Sequence, residues 1–442
     1  MNYTSLVGHI IELCELIDKN SSPADNVITN FHRGRKYLGS HDRRYIVAVV
    51  FGILRNRRLL EALLEQYLLE NPSNEILNTP VQRYIPLLAA YLIVIDHETE
   101  ENLNTIIGGR WNMVFPAVDF THYIRWTTAH ADLAFLPNDV VTRLGVQYSY
   151  LDWMVERFKG EYGDDLENLL TALNSPANTT LRVNTLKCSH DECRERLRRE
   201  GIETDSTPYS PVGLITKKRF NKSASKAFAD GWFEIQDEGS QLVSFLCGVQ
   251  PGQVVIDGCA GTGGKALHLA GLMANEGEII AIDIYDKRLF ELQARAARAG
   301  IQIIQVLLKE TIIPENFFNS ADLVLIDAPC SGSGTLRRNP GLKWTLTESL
   351  VSHYAQMQSE ILDFNARFVK KGGRLLYATC SLFREENEDV IQKFLQSHSD
   401  FSMMPLFDTA QTFGISANVP YLKLLPHKIN TDGFFVAEMV RL

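Results

Sequence analysis

Long apolar runs, closely paired cysteines and a leader segment are all missing from this sequence. No stretch approaches the roughly 18 uncharged apolar residues that a membrane-spanning helix requires, so no membrane partner is expected. The first five residues lack a basic region followed by an apolar one, and no signal peptide is predicted. The chain has seven cysteines, none in the C-x-x-C spacing of a metal site. These absences predict a cytoplasmic protein with reduced thiols and no bound metal.

A net positive charge is also missing, because the formal charge is −9. Basic residues nevertheless cluster along the chain. The clusters are Arg33, Arg35, Lys36, Arg43 and Arg44; Arg55, Arg57 and Arg58; Lys217, Lys218, Arg219, Lys222 and Lys226; and Arg337, Arg338 and Lys343. Any one cluster is equally well explained as a solvated surface, but their recurrence favours a polyanion as partner.

The first part of the chain, residues 1–140, is predicted to be helical. The whole chain has 442 residues and 45% hydrophobic content, which allow two or three domains. Apolar residues recur at helical spacing in four segments of this part, which are Leu6–Ile17, Tyr45–Leu54, Leu59–Leu69 and Tyr84–Ile95. Proline-containing turns at 71–74 and 79–80 separate them. Residues 141–235 are predicted to form a small α+β part, with a strand at 180–184 and a charged helix at 191–200.

Residues 236–442 show the strand–helix alternation of an α/β domain. The predicted strands are Val254–Asp257, Glu278–Asp283, Gln302–Leu308, Leu323–Asp327 and Arg374–Thr379. The predicted helices are Lys265–Met273, Lys287–Ala299, Tyr354–Val369 and Glu386–Gln396. Such alternation predicts a parallel sheet with helices on both faces. Two strands flanking a turn at 430–433 predict a C-terminal antiparallel hairpin, which is typical of the methyltransferase variant of this architecture.

A glycine-rich loop between a strand and a helix predicts a cofactor site. The loop runs from Asp257 to Lys265, and its glycines are Gly261, Gly263 and Gly264. A phosphate-binding P-loop is excluded, because Cys259 and Ala266 replace its required glycine and hydroxyl residue. A dinucleotide fingerprint and an S-adenosylmethionine loop both remain. Each requires an acid at the end of the next strand to bind ribose hydroxyls. Asp283 is that acid, although a helix cap is the alternative role.

Two cysteines, Cys330 and Cys380, each follow a predicted buried strand. Since ligands bind at the carboxyl ends of the strands in an open α/β sheet, both thiols are expected to face one pocket. Hydride transfer gives such thiols no role. Methyl transfer to carbon 5 of a pyrimidine does, because a thiolate must first add to carbon 6. Asp327 is then placed to hold the exocyclic amine and ring nitrogen. Either cysteine alone is equally well a small buried hydrophobe, and only the combination indicates catalysis.

Several motifs together resemble the RsmB/Sun (Fmu) family of bacterial RNA cytosine-5 methyltransferases. They are Leu181-Arg182-Val183-Asn184-Thr185, Gln236-Asp237-Glu238-Gly239-Ser240-Gln241, the loop around Cys259, Asp327-Ala328-Pro329-Cys330-Ser331-Gly332-Ser333-Gly334, Tyr377-Ala378-Thr379-Cys380-Ser381 and Asp432-Gly433-Phe434-Phe435. The N-terminal part more loosely resembles the NusB-like RNA-binding domain of that family, chiefly at 39–44 and 50–55.

The resemblance implies a Rossmann-like methyltransferase domain, an RRM-like middle part and S-adenosylmethionine as cofactor. It also assigns the roles of the two cysteines, which spacing leaves open: Cys380 attacks the base and Cys330 assists product release. Lys265 is expected near the methionine end of the cofactor and the target base. The expected cofactor-binding set is Cys259, Ala260, Gly261, Gly263, Gly264, Lys265, Asp283, Arg288, Glu310 and Asp327, with Glu310 replacing the usual adenine-binding aspartate.

The predicted function is methylation of carbon 5 of a cytosine in RNA through a covalent adduct with cysteine. The resemblance favours small-subunit ribosomal RNA, and transfer RNA is the alternative substrate. An RNA-binding ribosome-assembly factor with impaired catalysis is a second class of function, which cofactor binding distinguishes from the first. A dehydrogenase is a third class, which predicts nicotinamide binding and indifference to both cysteines. The protein is expected to act as a monomer.

Overall fold

The computed structural model describes residues 3–20, 24–72, 79–309, 315–415 and 420–442. Contacts divide the chain into two compact units. One comprises Met1–Asn174 with Leu336–Leu346, and the other comprises Ser175–Thr335 with Thr347–Leu442. In the described ranges, none of the helices has the length and apolar character needed to cross a membrane.

The first unit is helical, as predicted from the spacing of its apolar residues. Its helices up to residue 174 are α1 Tyr3–Asp18, α2 Ala24–Arg33, α3 Ser40–Glu70, α4 Pro80–Val94, α5 Glu100–Leu103, α6 Gly109–Val114, α7 Phe120–Ala129, α8 Val140–Gln147, α9 Asp152–Tyr162 and α10 Leu166–Asn174. The predicted helical segments Tyr45–Leu54 and Leu59–Leu69 form one helix, α3, which bends at Asn56. A side chain at Gly52 of α3 would lie 2.3 Å from the ring of Tyr91, so glycine permits the close approach of α4.

The segment 336–346 completes the helical unit, and its lysine is a structural group. Lys343 is 0% exposed. Its ammonium donates hydrogen bonds to the carbonyls of Arg55 and Ser149, each at 3.0 Å, and to Asn174 Oδ1 at 2.5 Å. Burial lowers the pKa of this lysine well below its usual value. The prediction that the 337–343 cluster faces a polyanion is therefore wrong for Lys343, and Arg337 is also buried.

A four-stranded antiparallel sheet opens the second unit. Its elements are β1 Thr180–Val183, α11 His190–Arg199, β2 Thr204–Ser206, β3 Gly213–Thr216, α12 Lys226–Ala229 and β4 Phe233–Ile235, with strand order β2-β3-β1-β4. The predicted helix forms because Ser189 and Glu192 cap it reciprocally: the Ser189 amide donates to the Glu192 carboxylate at 2.8 Å, and the Glu192 amide donates to Ser189 Oγ at 3.3 Å.

The remainder of the second unit is the predicted α/β domain. Its elements are α13 Glu238–Leu246, β5 Val254–Asp257, α14 Gly264–Leu272, β6 Glu278–Asp283, α15 Asp286–Ala299, β7 Ile304–Leu308, β8 Ala321–Asp327, α17 Glu348–Ala366, β9 Val369–Thr379, α18 Glu388–Ser397, β10 Phe401–Met404, α19 Phe407–Thr412, β11 Leu422–Leu424, α20 Pro426–Ile429 and β12 Phe434–Arg441; α16, Leu342–Thr345, belongs to the helical unit. Among the described residues the strand order is β10-β12-β9-β8-β5-β6-β7, with β11 paired to β12.

The sheet is parallel from β9 through β7, and this brings the predicted site residues to one edge. Asp327 is in register with Ala378, two residues before Cys380, and Asp257 is in register with Leu325. Asp283 ends the neighbouring strand β6. Since parallel strands end at the same edge, the cofactor loop and both cysteine-bearing loops leave the sheet together.

Two local predictions are wrong. The predicted helix 354–369 begins earlier and ends at Ala366, because Val369 starts β9 and pairs with Ala321 of β8. The antiparallel pairing of β11 with β12 is confirmed, but α20 lies between the strands in place of a tight hairpin turn. Strand β12 inserts between β9 and β10, so its partners are distant in sequence.

Candidate functional site

The loop after β5 is anchored to the end of β6. Gly261 has a φ of +55°, and a Cβ there would meet no other atom within 4 Å, so its backbone borders open space. The Asp283 carboxylate accepts a hydrogen bond from the Gly261 amide at 2.9 Å and from the Tyr285 amide at 2.8 Å. The first residue of α15 is Asp286, and the side chain of Asp283 does not cap that helix. Two of the roughly four acceptor positions of this carboxylate remain available to ribose hydroxyls.

A cavity of about 780 Å³ lies in front of this loop. Its volume falls within the ~300–1,000 Å³ of small-molecule sites. Most predicted cofactor residues line it: Cys259, Ala260, Gly261, Gly264, Lys265, Asp283, Arg288 and Asp327. Gly263 does not; it has a φ of +86°, and a Cβ there would lie 2.6 Å from Leu292. Glu310 lies outside the described residues.

The cavity is also lined by residues that the sequence did not single out, among them Lys309, Tyr354 and Asn365. Asn365 is 2% exposed, and its Oδ1 has no hydrogen-bond partner within the described chain. Such an acceptor is open to a donor from a ligand or from water. Together with the free acceptor positions of Asp283, it fits the amine and hydroxyl donors of S-adenosylmethionine. No sequence signal identifies Asn365, because it lies in the middle of α17.

Lys265 and Asp327 form an ion pair in the lining of the cofactor cavity. Lys265 Nζ donates to Asp327 Oδ2 at 2.5 Å and lies 5.3 Å from the ring centroid of Phe434. Beneath them, burial and the negative Asp327 raise the pKa of Asp257 to about 7, against the opposing charge of Lys265. Lys265 therefore pairs with the carboxylate of Asp327 at the cavity wall. Because its pKa is raised to about 7, the carboxyl group of Asp257 is partly protonated near neutral pH.

The two predicted cysteines meet. Cys330 follows β8, Cys380 follows β9, and their Sγ atoms are 3.3 Å apart. The hydrogen bond with Cys380, burial, and the negative charges of Cys380 and Glu386 raise the pKa of Cys330 well above its ordinary value. The raised pKa keeps Cys330 in its protonated thiol form, and either sulfur can be the donor in the contact between them. Pro329, beside Cys330, lines the cofactor cavity, whereas neither cysteine is among the residues that line it.

One further residue near the thiols has no obvious sequence signal. Glu386 is fully buried, and its carboxylate contacts the residues that follow both cysteines. It is separated from Ser331 by 55 residues, so neither periodicity nor a local motif predicts the contact.

Comparison with known proteins gives consistent matches. The family described as 16S rRNA methyltransferase RsmB/F matches residues 245–440, and a ferredoxin-like domain of RsmF/B-like methyltransferases matches residues 150–221. A curated protein from Synechocystis, named probable ribosomal RNA small subunit methyltransferase B, is 32% identical over 91% of this chain and 92% of its own length. A Bacillus subtilis protein of the same name is 34% identical over 68% of each chain. The crystal structure of PH0851 superposes with a TM-score of 0.76 at 29% identity, covering 98% of both chains.

Proposed function

This chain belongs to the RsmB/F family of 16S rRNA methyltransferases, and from that premise we propose that it methylates carbon 5 of a cytosine in small-subunit ribosomal RNA through a covalent adduct with Cys380. It is an S-adenosylmethionine-dependent enzyme. The cofactor supplies an electrophilic methyl group when it is bound. The single observation that carries the covalent chemistry is the 3.3 Å approach of two thiols beside the cofactor cavity.

Cys380 is the nucleophile in this proposal. The raised pKa of Cys330 keeps that residue a thiol in the resting enzyme, which favours Cys380 as the attacking group; Cys380 attacks as a thiolate after its proton passes to solvent. Addition of this thiolate to carbon 6 of the cytosine forms a C–S bond and places electron density on carbon 5, which then carries the new methyl group. Loss of the carbon 5 proton and expulsion of Cys380 as thiolate restore the aromatic ring.

Cys330 accepts the carbon 5 proton, and the state of Cys380 controls when it can do so. In the resting pair, the largest cause of the raised pKa of Cys330 is its hydrogen bond with Cys380, and the charge of Cys380 contributes as well. Once Cys380 is a neutral thioether, both effects are gone. The pKa of Cys330 then falls, so the thiol can release its own proton to solvent, and the resulting thiolate takes the carbon 5 proton at the stage when that proton must leave.

Asp327 and Lys265 hold the target base. The carboxylate of Asp327 lines the cavity and is the group proposed to accept hydrogen bonds from the exocyclic amine and protonated ring nitrogen of cytosine. Lys265 donates to the same carboxylate and keeps it oriented. This pairing stabilises the electron-rich adduct by fixed charges, which require no rearrangement during the reaction.

The cofactor site is proposed from the cavity lining and from the sequence. Asp283 binds the ribose hydroxyls, and Asn365 Oδ1 accepts a hydrogen bond from the ligand. Arg288 also lines the cavity, with its guanidinium 4.5 Å from the Tyr285 ring centroid and its Nη1 3.9 Å from Asp283 Oδ2. Gly263 holds the turn of the loop, and Glu310 remains a proposal from the sequence for the adenine amine.

RNA binding is proposed for the helical residues 1–140 and the RRM-like residues 141–235, with residues 236–442 as the catalytic domain. Lys217, Lys218, Arg219, Lys222 and Lys226 are all exposed. In the N-terminal cluster, Arg33 and Lys36 are exposed, whereas Arg35 donates to Glu12 and lies 3.9 Å from the Phe31 ring centroid. We propose a monomer that acts in the cytoplasm, where thiols remain reduced.

Bisulfite sequencing of 16S rRNA tests the proposal. A deletion strain is complemented with the wild-type gene or with Cys380→Ala. One cytosine should lose its methyl mark in the deletion strain, regain it with the wild type and remain unmarked with the variant. Loss of a mark in transfer RNA instead would identify the alternative substrate. An unchanged methylation pattern, together with no cofactor binding by calorimetry, would identify an assembly factor.

A further inference from the structure

The two cysteine-bearing loops share one buried acid. We propose that Glu386 is a positioning residue that joins the loops and sets the approach of Cys330 to Cys380; the inference rests on the proposed function of that pair. Glu386 is 0% exposed. Its carboxylate accepts hydrogen bonds from the Ser331 amide at 2.8 Å and from the Ser331 hydroxyl, next to Cys330. It also accepts one from the hydroxyl of Ser381, next to Cys380.

Glu386 is itself held on two further sides. Gln358 Nε2, from the middle of α17, donates to Glu386 Oε1 at 3.0 Å and to the Pro329 carbonyl at 2.9 Å. The Tyr377 hydroxyl, from β9, donates to the Glu386 carbonyl at 2.6 Å. The acid is thus fixed to the helix and strand that flank the thiols, and the residues on both sides of Cys330 are fixed to it or to its partner Gln358.

The contacts require a carboxylate. Every neighbour of the Glu386 side chain is a donor: an amide N–H, two hydroxyls and a carboxamide NH₂. An ionised carboxylate accepts about four hydrogen bonds and donates none. A glutamine in its place would turn an NH₂ group towards donors and break at least one link. Hydrogen bonds to a charged acceptor are also roughly twice as strong as neutral ones, so they fix the loops more firmly.

This arrangement explains why the thiols meet without a covalent bond. Cys330 and Cys380 lie 50 residues apart in the chain, and each is in a loop beyond the end of a strand. Register between β8 and β9 ends with Asp327 and Ala378, so strand pairing does not extend to either sulfur. Beyond the strands, the Gly334 amide donates to the Cys380 carbonyl and the Leu382 amide donates to Ser333 Oγ, both at 2.8 Å, and the buried acid adds a contact to the residue after each cysteine.

The test measures the approach of the thiols in the resting enzyme, without RNA or cofactor. The enzyme is equilibrated with oxidised and reduced glutathione, and the Cys330–Cys380 disulfide is quantified by peptide mass spectrometry. Disulfide formation takes two protons and two electrons from the thiols and converts one oxidised glutathione into two reduced molecules. In Glu386→Gln, the equilibrium constant for disulfide formation should fall about tenfold, which corresponds to about 30 mV in reduction potential.

Glu238→Gln is the matched control. Glu238 is also buried in the same unit, and it accepts backbone hydrogen bonds from Tyr209 and Ser210, both at 2.7 Å. Its replacement removes a comparable buried acid without touching the cysteine loops, so the disulfide constant should stay at the wild-type value. An unchanged constant in Glu386→Gln, or an equal fall in both variants, would overturn the proposal.

Two further measurements complete the test: the kcat of Glu386→Gln, and the disulfide constant of Glu386→Asp, which has a shorter acidic side chain. Glu386→Gln should lower kcat while the Kd of S-adenosylmethionine stays within twofold, because the cavity does not include Glu386. Glu386→Asp keeps the charge and should recover part of the disulfide constant. If neither variant folds by circular dichroism, Glu386 is a folding determinant and the positioning role is rejected. Because the thiol measurement needs no substrate, it stands even if the RNA target proves different.

Discussion

The Sγ atoms of Cys330 and Cys380 lie 3.3 Å apart, and the pKa of Cys330 is raised well above its ordinary value. Two thiols at this distance are close enough to act in turn on the same carbon–carbon bond of a pyrimidine ring. The raised pKa of Cys330 favours Cys380 as the proposed nucleophile.

Cys380→Ala should abolish methyl transfer, because it removes the proposed nucleophile. Incorporation of labelled methyl groups into 16S rRNA measures the loss, and calorimetry should show unchanged cofactor affinity. Cys247→Ala is the control: Cys247 is also buried, lies outside the cofactor cavity and should keep wild-type activity. Wild-type turnover in Cys380→Ala would remove Cys380 from the mechanism.

Cys330→Ala should accumulate a covalent protein–RNA complex, because attack by Cys380 proceeds while removal of the carbon 5 proton stalls. A denaturing gel with labelled RNA and S-adenosylmethionine detects the complex. The double variant Cys330→Ala/Cys380→Ala should form none. A complex that appears with Cys380→Ala in place of Cys330→Ala would reverse the two roles.

The pKa of Cys330 should fall when Cys380 is replaced by alanine. The hydrogen bond and the negative charge of Cys380 both favour the protonated form of Cys330, so their removal shifts its titration to lower pH, although burial and Glu386 still act. The alkylation rate of Cys330 by iodoacetamide, followed by peptide mass spectrometry from pH 6 to about 10, measures the shift. An unchanged profile would mean that burial alone sets this pKa, and the proposed switching on adduct formation would fail.

Asp283→Ala should weaken S-adenosylmethionine binding by roughly tenfold or more, because each lost charge-assisted hydrogen bond costs about 1.5–3 kcal/mol. The variant also releases the amides of Gly261 and Tyr285, so the cofactor loop loses an anchor. Calorimetry gives the Kd. Asp286→Ala, an exposed acid three residues later, should bind normally. Equal affinities in the two variants would mean that Asp283 serves only the fold.

RNA binding should depend on salt through the exposed cluster of the RRM-like part. Lys218→Ala/Arg219→Ala should reduce the slope of log affinity against log salt by about 1.4 for single-stranded RNA, since each phosphate contact adds roughly 0.7. Arg198→Ala/Arg199→Ala removes the same charge, but both arginines already pair with Glu195, so a smaller change is expected. Filter binding at several salt concentrations measures both slopes. Equal changes would indicate a general charge effect and no specific contact.

The N-terminal cluster provides a separate comparison. Joint replacement of Arg33, Arg35 and Lys36 should also weaken RNA binding and reduce the salt slope, without changing the chemistry at saturating RNA. Because Arg35 already pairs with Glu12, most of the effect should come from Arg33 and Lys36. An unchanged slope would mean that this part of the helical domain does not contact the phosphate backbone.

The sequence by itself determined which strands and loops of this protein carry the functional residues. Strand–helix alternation implied a parallel sheet, and parallel strands end at one edge, so Asp257, Asp283, Asp327, Cys330 and Cys380 were bound to converge there. These inferences succeed because each depends on a short segment and on a general property of parallel sheets. The assignment of attack to Cys380 and of product release to Cys330 required the family resemblance, since both cysteines follow a strand and the sequence alone does not distinguish them.

Only the tertiary structure decided the contacts made between distant segments. The position of β12 between β9 and β10, the burial of Lys343 and the partnerless Oδ1 of Asn365 have no local signal. The same is true of Glu386, whose partner Ser331 lies 55 residues away. Local propensity and periodicity report which face of an element is apolar, whereas packing determines which polar group meets which. The burial of a carboxylate with its donors is a property of the assembled site, and only the folded chain reveals it.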